Sequence, residues 1–285
     1  MAIGSVIWTW FNGSWHQGDM PVMNAADHGT WLGSLVFDGA RAFEGVVPDL
    51  EPHCARINDS ALVMGLKPTI SVDEMKKLVM EGLEKFEPEA PVYIRPMYWS
   101  KEGGTVVVMP DPDSTVFCLC LEQLPMAPAD ASQTLCRTEF TRPMQSMAPV
   151  NAKAACLYPN NGRMLRQALA RGYNNAIVTD VLGNVAETAT ANIFMVKDGI
   201  VKTPVPNGTF LDGITRQRII KLLRESGKTI EECTLTYQDF EEADEVFLTG
   251  NISKVTPIVK IEDTKYEIGP ITKLSRELYW QWAKP

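Results

Sequence analysis

Three places in the chain combine residue types that could do chemistry. Lys153 is the only cation in Ala148-Pro149-Val150-Asn151-Ala152-Lys153-Ala154-Ala155-Cys156-Leu157. Small apolar neighbours withhold water from an amine and favour its neutral form, which attacks carbonyl carbons and accepts protons. The same context also fits a surface lysine on an alanine-rich turn. Glu187 is the lone acid in Asn184-Val185-Ala186-Glu187-Thr188-Ala189-Thr190-Ala191-Asn192, just before the apolar run Ile193 to Val196. Such a carboxylate either meets a group from elsewhere or hydrogen-bonds its own turn. Leu211-Asp212-Gly213-Ile214-Thr215 runs straight into Arg216-Gln217-Arg218-Ile219-Ile220-Lys221-Leu222-Leu223, so glycine and threonine fall at a helix start. Free N–H groups and the positive end of the helix dipole suit a phosphate there, and Thr215 as an ordinary N-cap is the plainer alternative. An amine, a separate carboxylate and a phosphate-binding helix start are together what pyridoxal phosphate requires: a Schiff-base lysine, a partner for the pyridine nitrogen and a phosphate cradle.

These groups need elements to position them. Val6 to Phe11 is β-branched and aromatic and precedes Asn12-Gly13, which predicts a hairpin. Ser71 and Glu74 form a capping-box pattern, after which Met75, Leu78, Val79, Leu83 and Phe86 recur at helical spacing. Strands are expected at Val92 to Trp99, Thr105 to Met109 and Thr115 to Leu121. Leu124-Pro125-Met126-Ala127-Pro128-Ala129-Asp130 reads as a linker, with a domain boundary near residue 128. Beyond it the pattern predicts a helix over Asn161 to Arg171 ended by Gly172, and a strand over Ala176 to Thr179. A hairpin over Phe194 to Val201 should turn on Asp198-Gly199, and helices should cover Thr215 to Ser226 and Ile271 to Trp282. The acidic stretch Glu231 to Glu245 reads as a solvated face.

Bulk properties bound the answer. A chain of 285 residues exceeds one ordinary domain of roughly 100–200 residues and accommodates two meeting at a cleft. With 45% hydrophobic and 22% charged residues it is able to bury a core, and disorder, collagen and coiled coil are excluded. A formal charge of -8 argues against nucleic acid or anionic membrane as main partners, while leaving room for a local basic pocket. The cysteines at 54, 118, 120, 136, 156 and 233 lack C-x-x-C spacing and read as reduced core residues. His16, His28 and His53 are scattered, so no metal site is expected. Met1 to Trp15 lack a basic start, and no apolar run approaches about 18 residues, so a cytoplasmic chain that does not span a membrane is expected.

A series of motifs occurs in order along the chain: Trp8-Thr9-Trp10-Phe11-Asn12-Gly13, Phe37-Asp38-Gly39-Ala40-Arg41, Arg56-Ile57-Asn58-Asp59-Ser60-Ala61, Tyr93-Ile94-Arg95-Pro96, Lys153-Ala154, Gly213-Ile214-Thr215-Arg216 and Asp244-Glu245-Val246-Phe247. Together they resemble the fold-type-IV pyridoxal-phosphate enzymes, and within these the branched-chain amino acid aminotransferases. The resemblance implies an α/β (α+β) chain of D-amino acid aminotransferase-like fold. A small N-terminal α+β domain would cover 1–122, a linker 123–131, and a larger cofactor-binding pseudo-barrel 132–285.

It further implies roles. Lys153 would form the Schiff base and shuttle the α-proton, Glu187 would pair with the pyridine nitrogen, and Tyr158 would hydrogen-bond the phenolic oxygen. Arg56 would hold the phosphate with the N–H groups and hydroxyl at Ile214 and Thr215, in a cradle bordered by Leu211 and Gly213 and completed by Gly250 and Asn251. Tyr93 and Arg95, two apart on one strand face, would lie with Arg41 near the substrate carboxylates, and Phe37, Leu32 and Ile252 would line the pocket. For Arg41 and Arg95 a salt bridge between domains or subunits is the competing reading. The implied activity is ping-pong transfer of an amino group between a branched-chain L-amino acid and a 2-oxo acid such as 2-oxoglutarate, by at least a homodimer. The sequence departs from the family pattern at Leu32 (usually tyrosine), Asp212 (commonly proline), Asn251 (usually threonine) and Lys101-Glu102-Gly103-Gly104, in place of an Asn-Pro-Pro type loop. The alternatives are an (R)-selective amine or D-amino acid transaminase, an aminodeoxychorismate lyase-like enzyme, and a binding protein that keeps the fold without the chemistry.

Overall fold

The computed structural model describes residues 6–284; Met1–Ser5, the start of the segment read above for a leader, lie outside them. By their contacts the described residues form two compact units. One runs to Met126 and takes in Asn151–Cys156, and the other comprises Ala127–Val150 and the chain from Leu157 onward.

In the first unit, β1 (Ile7–Phe11) and β2 (Ser14–Gln17) form the expected hairpin on Asn12-Gly13, at φ 50° and 80°. Both turn residues need positive φ, which asparagine and glycine tolerate best. The sheet adds β3 (Leu35–Phe37), β4 (Ala40–Ala42), β5 (Val92–Ser100) and β6 (Thr115–Gln123) in the order β2-β1-β6-β5-β3, with β4 also paired to β5. Three helices accompany it: α1 (His28–Trp31), α2 (Leu50–Val63) and α3 (Val72–Leu83). The capping box at α3 is present, with Ser71 Oγ accepting from the Glu74 N–H. Nothing in the apolar pattern announces α2, because its buried face, His53, Cys54, Ile57, Ser60 and Ala61, includes two polar residues.

The strand expected over Thr105 to Met109 is absent. Residues 104–109 close on themselves, the Gly104 N–H donating to the Met109 carbonyl (2.7 Å) and the Met109 N–H to that of Val106 (2.8 Å), and Val106 to Met109 are exposed. A β-branched run becomes a strand only where a ladder partner takes its backbone groups, and here none does.

The second unit starts with β7 (Gln133–Thr141), α4 (Tyr158–Ala170), β8 (Asn175–Thr179) and β9 (Val185–Thr188). The hairpin of β10 (Asn192–Lys197) and β11 (Ile200–Pro204) turns on Asp198-Gly199, both at positive φ, and leads to α5 (Ile214–Glu225). β12 (Ile230–Cys233), α6 (Tyr237–Glu241), β13 (Glu245–Gly250), β14 (Lys254–Ile261), β15 (Thr264–Lys265) and α7 (Pro270–Ala283) complete it. The sheet order is β12-β11-β10-β13-β14-β7-β8-β9, and β9 returns against β10 and β11, so the sheet curls. Its core holds Leu135, Ile177, Ile193, Phe240, Leu248 and Ile258, all under 4% exposed. α4 starts at Tyr158, three residues before the expected Asn161, because Pro159 fits a first turn that lacks N–H partners anyway.

Two expectations need correction. Glu231, Glu232, Glu241 and Glu242 are exposed as a solvated face should be, but Glu245 is buried and accepts from the Ile271 N–H (3.1 Å), the Thr272 N–H (2.7 Å) and Thr272 Oγ1 (2.7 Å). It caps the start of α7, where a carboxylate meets free N–H groups and the helix dipole. All six cysteines are free, yet Cys156 is exposed rather than in a core, since it sits in the short turn before α4. Among the described residues no helix is long and apolar enough to cross a membrane.

Candidate functional site

On the first unit the site is assembled around the junction of β3 and β4. Lys153 is clamped by its backbone: its N–H donates to Ser60 Oγ on α2 (3.0 Å) and its carbonyl accepts from the Phe37 N–H (3.1 Å). An isolated bridge pairs the next residue, Ala154, with Val36. The half-buried side chain lays its Nζ 5.0 Å from the centroid of the Phe37 ring.

The adjacent Asp38 is fully buried and accepts four hydrogen bonds, from the Gly39 N–H (2.6 Å), His53 Nδ1 (2.7 Å), and Arg56 Nε and Nη2 (2.6 and 2.8 Å). Burial by itself would raise its pKa, but the charges and hydrogen bonds of Arg56 and His53 win and hold it well below the usual carboxylate range. Arg56 is thus fixed as a fork, as bidentate guanidinium–carboxylate pairs are.

The three residues expected near the substrate carboxylates share this unit. Arg41 and Tyr93 are opposite one another on β4 and β5, and a Cβ on Gly39 would overlap the Tyr93 hydroxyl, so the Phe37-Asp38-Gly39-Ala40-Arg41 motif makes room for that ring. Arg41 is 0% exposed, with Nη2 donating to the Leu124 carbonyl (2.7 Å) and to Met126 Sδ (2.9 Å). Its Nε and Nη1 are buried donors with no acceptor among the described residues. Burial lowers its pKa to about 10, partly opposed by Tyr93. Arg95 differs: its guanidinium is in a tight ion pair with Glu122 on β6 and lies 5.5 Å from the Tyr93 ring centroid. Of the two arginines, only Arg95 makes a salt bridge among the described residues, and that one lies within the unit. Leu32, half-buried, follows the last residue of α1.

The second unit carries the other groups. Glu187 is buried on β9, its carboxylate in a tight ion pair with Arg142 Nη2, while Asn192 Nδ2 lies 3.4 Å from its other oxygen. Arg142 is held in turn by Asn161 Oδ1 (2.6 Å) on α4. Nothing in Thr141-Arg142-Pro143 marks this arginine; the parallel pairing of β7 with β8 and the antiparallel pairing of β8 with β9 bring it to a carboxylate 45 residues away.

At the start of α5 the N-cap is Gly213, and no side chain caps the helix. Thr215 is therefore a buried residue inside the first turn and not the cap considered above. The first ladder bond runs from the Gln217 N–H to the Gly213 carbonyl (2.9 Å), which leaves the N–H groups of Ile214, Thr215 and Arg216 to an outside acceptor. A Cβ on Gly213 would overlap Asn192 Oδ1, and Asn192 also donates to the Leu211 carbonyl (3.1 Å). Asn192 pairs in register with Thr249 on β13, so Gly250 and Asn251 follow directly from this corner. Asn251 Nδ2 and Thr249 Oγ1 are buried without partners among the described residues. Uncapped N–H groups, an orphaned amide donor and a buried carboxylate are a donor and acceptor set that fits a phosphorylated pyridine. Tyr158, the first residue of α4, and Ile252 are the most exposed of the expected site residues, at 38% and 48%.

The model of the amino-transferase class IV family matches residues 35–261. The chain belongs to the class IV aminotransferases. An aminotransferase from Brucella abortus, solved bound to the co-factor PLP, is 58% identical with TM-score 0.97, covering 98% of this chain and 100% of that one. The branched-chain amino acid aminotransferase of Escherichia coli superimposes with TM-score 0.91 at 28% identity, over 97% of this chain and 94% of that one. The branched-chain-amino-acid aminotransferase of Salmonella typhimurium is 29% identical over 97% of this chain and 96% of its own length.

For this class IV aminotransferase the tight corner at Gly213 yields a direct prediction. Gly213→Ala should force Asn192 away from the Leu211 carbonyl and from Glu187, destabilising the protein by about 1–3 kcal/mol and weakening cofactor binding. Thermal unfolding of the apo-protein and a pyridoxal phosphate titration would each register it.

Proposed function

We propose that this class IV aminotransferase moves an amino group between a branched-chain L-amino acid and a 2-oxo acid such as 2-oxoglutarate, using pyridoxal phosphate in ping-pong fashion. The observation that carries the reading is Lys153, set by its backbone against Ser60 and Phe37 so that its position does not depend on its amine. When bound, pyridoxal phosphate supplies an aldehyde carbon to carry the amino group and a ring that accepts electron density. Lys153 takes the α-proton of the donor and returns a proton in the second half-reaction. Glu187, paired with Arg142, holds the proton on the pyridine nitrogen. Ile214, Thr215, Asn251 and Arg56 bind the phosphate, with Leu211, Gly213 and Gly250 shaping the cradle, and Tyr158 donates to the phenolic oxygen.

Phe37, Leu32 and Ile252 supply the apolar wall for a branched side chain. Arg41, with two buried donors lacking an acceptor among the described residues and Tyr93 beside it, is the cation for the acidic arm of the second substrate. Arg95, engaged by Glu122, orients the Tyr93 ring. The reading extends to a cytoplasmic homodimer or larger homo-oligomer, supported by six free cysteines and by the exposed apolar residues Trp31 and Val106 to Met109, which suit a second copy.

Initial rates with L-leucine, D-alanine and (R)-1-phenylethylamine, each against 2-oxoglutarate and pyruvate, test it. The highest rate is expected for L-leucine with 2-oxoglutarate. D-alanine or the amine as best donor would instead establish the D-amino acid or (R)-amine reading, and inactivity on all three would return the lyase-like one.

A further inference from the structure

Lys254, the first residue of β14, is 1% exposed, among the most completely buried charged side chains of the protein. Its backbone has φ 61°, a left-handed conformation that is strained for a non-glycine residue. A glycine would close the turn from Gly250 to Lys254 more easily, and an apolar residue would be buried at less cost. What the lysine does there is visible at its tip: Nζ donates to Asn251 Oδ1 at 2.7 Å. An ammonium can only donate, so it fixes which end of the Asn251 amide faces it. Oδ1 is turned to Lys254, and Nδ2 is left as a buried donor with no acceptor among the described residues.

The orphaned donor has neighbours of the same kind. Thr249, two residues earlier, carries a buried hydroxyl that is also without a partner among the described residues, and it is paired in register with Asn192, the residue against which Gly213 packs. Through Asn192, Thr249 is linked to Gly213 at the uncapped start of α5. Without the lysine the Asn251 amide could turn over and present its oxygen to an anion, an interaction of the wrong sign.

We infer that Lys254 is a positioning residue for the phosphate cradle: it locks the Asn251 amide with its N–H₂ toward the phosphate and contributes a buried positive charge behind it. This rests on the pyridoxal phosphate reading above and adds a residue to it. Asn251 stands where the resemblance expects threonine, whose hydroxyl rotates to suit its partner; an asparagine needs an orienting group, and Lys254 is that group.

The test compares two ligands that differ only in the phosphate. Apo-protein, freed of cofactor and checked for folding by its thermal midpoint, is titrated with pyridoxal phosphate and separately with pyridoxal, following tryptophan fluorescence. Lys254→Met should raise the Kd for pyridoxal phosphate about tenfold, as expected for losing one charge-assisted hydrogen bond, and leave that for pyridoxal within about twofold. Asn251→Asp, which replaces the donor with a like charge, should do the same more strongly and serves if Lys254→Met fails to fold. Equal weakening of both ligands, or no change in either, would overturn the inference. A wild-type protein that binds neither ligand would instead remove the cofactor reading on which it rests.

Discussion

Lys153→Ala should abolish transamination, a fall on the order of 10³-fold or more, while leaving a folded protein. The structural contacts that fix this position are made by the backbone: the N–H to Ser60 Oγ, the carbonyl from the Phe37 N–H, and the bridge of Ala154 to Val36. An alanine keeps all three. Among the contacts given up, the one over the Phe37 ring is worth about 0.5–1 kcal/mol, a small part of the stability of a domain. The thermal midpoint should therefore move by only a few degrees, and the visible absorbance that develops when cofactor reacts with the lysine should be missing. Lys153→Arg separates chemistry from charge. Arginine stays protonated, keeps the cation near Phe37 and has no nucleophilic lone pair at neutral pH. It should be as inactive as alanine; substantial activity in either variant would show that Lys153 is not the reacting amine.

What could be read in advance follows the range of the interactions. The Asn12-Gly13 and Asp198-Gly199 turns and the Ser71–Glu74 capping box are set by residues within four positions of each other, and all are present. The start of α5 was legible as a helix terminus, yet the cap fell on Gly213 because packing against Asn192 decides which residue fits there. α2 left little trace because His53 and Ser60 face inward, one to hold Asp38 and the other to hold Lys153, and both dilute the apolar stripe. The Thr105 to Met109 run misled in the opposite direction, since its composition favours a strand but no partner pairs with it. Arg142 was illegible for a different reason. Its meaning depends on Glu187, which only the order of β7, β8 and β9 brings to it.

Asp38→Ala should be among the most damaging single substitutions in the first unit. The carboxylate is fully buried and meets Gly39, His53 and Arg56 at once, so removing it takes a shared acceptor from a half-buried guanidinium and a buried imidazole. Breaking a buried pair by deleting one partner costs about 3–5 kcal/mol, because the remaining charge keeps its desolvation penalty. Arg56 would also lose the fork that aims it, and pyridoxal phosphate affinity should fall with stability. Asp38→Asn separates charge from shape through its dependence on pH. The folded carboxyl titrates well below its unfolded value, so it stabilises the protein fully above the ordinary carboxylate pKa of about 4, and that contribution is lost as pH falls further toward the folded value. An asparagine has no such proton to take up. Chemical denaturation at a series of pH values should show wild type losing its advantage over Asp38→Asn progressively below about pH 4. Parallel acid limbs in the two proteins would mean that Asp38 is already protonated in the fold, and that Arg56 is held by geometry alone.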